Sequence, residues 1–221
     1  MISASFAMKL CGFFYIFILA TNAASVGLGN RIDETDSVSK FLAILEDPDR
    51  YRRSVFVAIG SHLGIVMISG AFFMAFSSYN RQLALIGSIS RMGEALVMIY
   101  GEVTVLRLID LAREYVSVNS NKETLRLVGD HILRTKNTGV DLGLLLLSIG
   151  AIAYCVMFVQ SGAVPSRIAW LGLAAGVISV IGIVLKFASR FSSIAIIGMV
   201  LMMVFEVIFG VWLLFFSTRA L

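Results

Sequence analysis

Ser192–Ser217 reads SSIAIIGMVLMMVFEVIFGVWLLFFS: twenty-six residues with one charge, Glu206, and no proline. As a helix rising 1.5 Å per residue it would be about 39 Å long, enough to cross a hydrocarbon core of about 30 Å. Five more apolar runs precede it, at about 6–28, 54–78, 82–106, 139–160 and 168–188. Each is continuously apolar rather than alternating, which excludes a membrane β-barrel. The two prolines, Pro48 and Pro165, both fall between runs, as uninterrupted helices require. Hydrophobic residues make up 58% of the 221, above the roughly 45–50% of a soluble domain. The expected fold is all-α: one domain over 1–221, an integral membrane bundle of six transmembrane helices with two short amphipathic surface helices.

The first surface helix is read in the connection from Asn30 to Arg53. There Val38, Phe41, Leu42 and Leu45 recur at helical spacing, Asp36 or Ser37 can cap, and Pro48 ends the pattern. The second is read in the polar stretch Val116–Thr138, from Leu125, Val128, Ile132 and Leu133. The third run stays helical in pattern to about Tyr115. The first has a charge, an apolar core and small residues in signal-peptide order, but it continues through Val26 and Leu28 and five runs follow. It is expected to be a retained helix.

Net charge is +4, and there is no basic recognition helix or nucleic-acid motif. The basic residues suit lipid headgroups, so the bilayer of the cell membrane is the expected partner. Most lie in the odd-numbered connections. The count alone would put those in the cytoplasm and both termini outside, but the acids of the first and third connections and the weight of the first helix leave the orientation open. Cys11 and Cys155 sit in apolar runs without a CxxC or metal-ligand neighbour, so no metal or cofactor is expected.

Charges within the runs are the informative departure: Arg91, Glu94, Glu102 and Glu206, with His62 alongside. An ionisable group at the bilayer centre costs roughly 2.5–3.5 kcal/mol on insertion scales. At 100° per residue, with Arg91 at zero, Glu102 falls at about 20° and Glu94 at about −60°. They share one helix face with Met98 and Ile109, and that face should point into the bundle or a cavity. Arg91 and Glu94 form an i, i+3 pair. Glu102 lies about 16 Å further along the axis and needs another partner. By depth, Arg91 or His62 suits Glu206. Asp141 is expected in the first turn of its helix, where the dipole favours a carboxylate. Lys186, near a helix end, can snorkel to the interface.

Two readings fit these charges. One is a transport or ligand site on the second, third and sixth runs, with a proton or small charged solute as cargo. The other is a set of interhelical ion pairs that fix packing, as in an accessory or assembly subunit. Intramembrane enzyme chemistry is disfavoured. No HExxH or GxSxG occurs, and the adjacent Ser61 and His62 point about 100° apart on a helix. Gly60 with Gly64, and Gly172 with Gly176, make two GxxxG patterns that suit close packing within the chain or between copies. A membrane protein partner or a homo-oligomer is therefore also open.

Three stretches carry a family resemblance. They are Lys9-Leu10-Cys11-Gly12-Phe13-Phe14-Tyr15, Asn80–Leu85 leading into Arg91-Met92-Gly93-Glu94-Ala95, and Ser161–Ala169. With the six-run spacing, they resemble an uncharacterised prokaryotic membrane family known as domain of unknown function 4386, over roughly residues 8 to 190. The first and third connections are more charged than that family's usual pattern. The resemblance implies a six-helix integral membrane protein and brings no activity, cofactor or substrate.

Overall fold

A computed structural model describes residues 4–30, 36–118, 120–189 and 193–217. The described residues are helical with short connections, and no strand occurs among them. The helices are α1 (Ala4–Gly27), α2 (Ser37–Glu46), α3 (Pro48–Phe76), α4 (Arg81–Val105), α5 (Leu108–Tyr115), α6 (Lys122–Ser161), α7 (Ser166–Ser189) and α8 (Ser193–Phe216). Residue 192, where the sequence sets the start of the last run, lies outside the described residues.

Five helices are long and apolar enough to cross a membrane: α1, α3, α6, α7 and α8. The sixth expected span corresponds to α4. Its charges dilute its apolar character, and it is not among the five.

Corrections concern helix ends. Pro48 does not merely close α2; it opens α3, because an N1 proline has no N–H to lose and Asp47 caps the turn by accepting from Arg50 N. The second surface helix does not exist separately. Its residues form the first part of the 40-residue α6, which is capped by Asn121, whose side chain accepts from Thr124 N. Polar composition there marks exposure to water rather than a helix end: no proline interrupts the join, and Gly139 next to Thr138 keeps the helical conformation. The third run is not one helix to Tyr115 either. The chain turns at Leu106 and Arg107 before α5.

The first surface helix is present as α2, with Asp36 as its cap. Its inner face is Ser37, Lys40, Phe41 and Ile44, while Leu42 is exposed. Hydrogen bonding from the Ser39 hydroxyl holds the Asp36 carboxyl below the usual carboxylate range.

The six long helices pack in a closed ring in the order α1, α3, α4, α6, α7, α8 and back to α1. Helix α7 packs by its glycines. A Cβ on Gly172 would strike the Phe205 ring and Cys155 Sγ, and one on Gly176 would lie 2.8 Å from Ile152 Cγ1. Gly64 of α3 abuts Ile18 of α1, whereas Gly60 faces open space.

The ring is unequal along its axis. One half holds an aromatic core of Tyr15, Phe72, Tyr154, Phe158, Phe205 and Phe209. Phe72 stands at its centre, with ring centroids 4.7 Å from Tyr154 and 5.8 Å from Phe158. The other half, toward the α1–α2 and α7–α8 connections, holds a cavity of about 560 Å³. Beyond it, a second core joins α2, α5 and the ends of α3 and α6 through Phe41, Tyr51, Leu108, Ile109 and Ile132.

Candidate functional site

Every long helix contributes to the cavity wall. Asn22 and Ser25 come from α1, His62 from α3, and Arg91, Glu94, Met98 and Glu102 from α4. Lys136, Asp141 and Ser148 come from α6, Ser179 and Lys186 from α7, and Met202 and Glu206 from α8. All five charged or ionisable residues expected inside the bundle therefore border one space.

At the deep end, against the aromatic core, Arg91 Nη1 lies 2.9 Å from Glu94 Oε2 and 3.5 Å from Glu206 Oε1. Helix periodicity supplies the first contact, because residues three apart share a face. The second crosses from α4 to α8 and selects Arg91 over His62 as the partner of Glu206. The arginine stem needs a bare backbone beside it: a Cβ on Gly150 of α6 would sit 3.2 Å from Arg91 Cγ. The Arg91–Glu94 pair is close but out of hydrogen-bond alignment, since neither Arg91 Nη1 nor Glu94 Oε2 has a hydrogen-bond partner among the described residues. His62 is buried on the same wall, and its Nδ1 likewise has none.

At the outer end, Glu102 accepts from Asn30 Nδ2 at 2.7 Å and pairs with Lys136 Nζ at 3.2 Å. Lys136 also donates to Asn30 Oδ1, which closes a three-residue ring of contacts. Asn30 reaches Ser25 Oγ at 3.3 Å, and Ser25 in turn donates to Ser54 O at 2.8 Å. Sequence reasoning found Glu102 but missed Asn30 and Lys136. Both lay in segments read as connections, and their sequence separation from Glu102 left no local signal.

Asp141 requires a correction. It lies in the interior of α6, not in a first turn, so the helix dipole does not hold it. Lys186 does: its ammonium, near the end of α7, lies 2.7 Å from the Asp141 carboxylate on the cavity wall. Among the described residues no group of three His, Cys, Asp or Glu could hold a metal ion.

The arrangement can hold charge, exchange protons and hydrogen-bond a solute. The family model described as Domain of unknown function (DUF4386) matches residues 10–216. The chain belongs to this family. The match takes in every cavity-wall residue, including the helix of Glu206 that the resemblance had left out. No curated protein and no solved structure matches the chain.

Proposed function

We propose that this member of the family is a single-domain membrane protein of six spans that binds a small charged solute in its cavity and carries it across the cell membrane. The observation that carries the reading is a cavity of about 560 Å³, reaching Glu206, walled by charged side chains from a closed ring of six helices. A bundle held together only by ion pairs has no need of such a space.

Helix α4 is taken as the sixth span on three grounds. Its 25 residues would reach about 37 Å, and it packs between the apolar helices α3 and α6. Its outward face is Leu85, Ile89, Met92, Leu96 and Val103, all exposed. Charge inward and apolar residues outward is the arrangement that lipid imposes.

In this reading Glu94 and Glu206 bind the cargo or its coupling proton, and Arg91 is their counter-ion. The test is proton-coupled solute flux in proteoliposomes, comparing the wild type with Glu94→Gln and Glu206→Gln, all three checked for folding. Flux in the wild type and its loss in either variant is the expected result. No flux over a broad solute panel would overturn transport. An accessory subunit then gains weight from one observation: each cation on the cavity wall already has a carboxylate partner.

A further inference from the structure

Six buried side-chain polar atoms have no hydrogen-bond partner among the described residues, and five belong to the cavity wall. They are His62 Nδ1, Arg91 Nε and Nη1, Glu94 Oε2 and Ser179 Oγ, of which Arg91 Nη1 and Glu94 Oε2 form an ion pair with each other at 2.9 Å. Buried polar atoms are nearly always paired, with protein or with something else. Their concentration around one space, from α3, α4 and α7, marks it as a polar site rather than an apolar void.

The charges of the wall give its class. Lys136 and Lys186 each have a carboxylate of their own, Glu102 and Asp141. Arg91 is shared by Glu94 and Glu206, which leaves one carboxylate in excess at the deep end. The other polar groups near that end are Tyr15 of α1 and Tyr154 of α6, neither of them a cation. His62 of α3 lies further out, toward Lys136, and Ser179 of α7 packs on Gly198, about two turns of α8 from Glu206. An anion would be repelled there. A metal ion would lack a ligand set among the described residues and would occupy little of the space.

Resting on the proposed solute site, we infer that the deep end of the cavity binds a small protonated amine. Its N–H groups face Glu206 and Glu94, and its charge offsets the carboxylate that Arg91 alone does not balance.

The experiment is thermal unfolding of the full chain in detergent with n-butylammonium, n-butanol or butyrate at equal ionic strength. Near saturation, butylammonium alone should raise the midpoint, by about 2–4 °C. Glu206→Gln and Glu94→Gln should each weaken that binding by about tenfold, equivalent to roughly 1.4 kcal/mol. If the variants do not fold, the order of the three probes on the wild type still decides. Equal or greater stabilisation by butanol or butyrate overturns the amine class and leaves the solute site standing. No shift with any probe, alongside measurable flux of another solute, overturns it too. Amine binding without flux supports this inference and removes the transport reading instead.

Discussion

Arg91 has 3% of its side-chain surface exposed, and its contacts are two carboxylates and the bare backbone of Gly150. Removing one partner from such a group leaves buried charge uncompensated, at a cost of about 3–5 kcal/mol. Arg91→Met should therefore unfold well below the wild type. Adding Glu94→Gln and Glu206→Gln to it should recover most of the deficit, because neutral groups cost less to bury. Thermal unfolding in one detergent checks both statements. A second cycle applies at the outer end, where Lys136→Met should destabilise and Lys136→Met with Glu102→Gln should do so less. The i, i+3 relation of Arg91 and Glu94 could be read from the chain, since helix geometry alone brings them together. The partners of Glu102 could not. Asn30 is 72 residues away and Lys136 is 34 away, and only the closing of the ring brings them to one point.

Among the elements, α7 is tied by glycine. Gly172→Ala would press a methyl into Phe205 and Cys155, an overpacking worth about 1–3 kcal/mol, while Gly60→Ala faces nothing within 4 Å. The first should lower the unfolding midpoint and the second should leave it unchanged or raise it. If both were equally harmful, Gly60 would serve a contact between copies. The two GxxxG patterns look alike in sequence, and only the neighbours set them apart. Helix α2 depends on its cap in a pH-dependent way. The Asp36 carboxyl lies below its ordinary range, so its stabilising effect is present at neutral pH and fades as pH falls through that lowered value. Hydrogen exchange at the Val38 amide, which donates to Asp36 at 3.2 Å, should quicken there relative to an Asp36→Asn control. Apolar runs could be located from sequence because lipid demands them. The continuity of α6 could not, because a helix leaving the bilayer changes its solvent and therefore its composition without changing its backbone.

For the whole molecule, the count of crossings is decided by α4. With Cys11 and Cys155 buried, single cysteines at Ser78, Ser117 and Ser166 can be labelled from one side of a sealed vesicle. Six spans require Ser78 and Ser166 on one side and Ser117 on the other. Ser117 on the same side as Ser78 would mean that α4 does not cross. The unequal filling of the ring has an electrical consequence. A water-holding vestibule conducts, whereas a layer of stacked phenylalanine and tyrosine insulates. The membrane voltage would therefore fall almost wholly across the Phe72 layer, at about 2.3 kcal/mol per elementary charge for each 100 mV. A cation reaching Glu206 from the vestibule would cross little of that field, and one leaving through the aromatic layer would cross nearly all of it. In the proposed transport of a cation, occupancy from the vestibule side would then be insensitive to voltage, and passage through the aromatic layer would be the step that voltage drives.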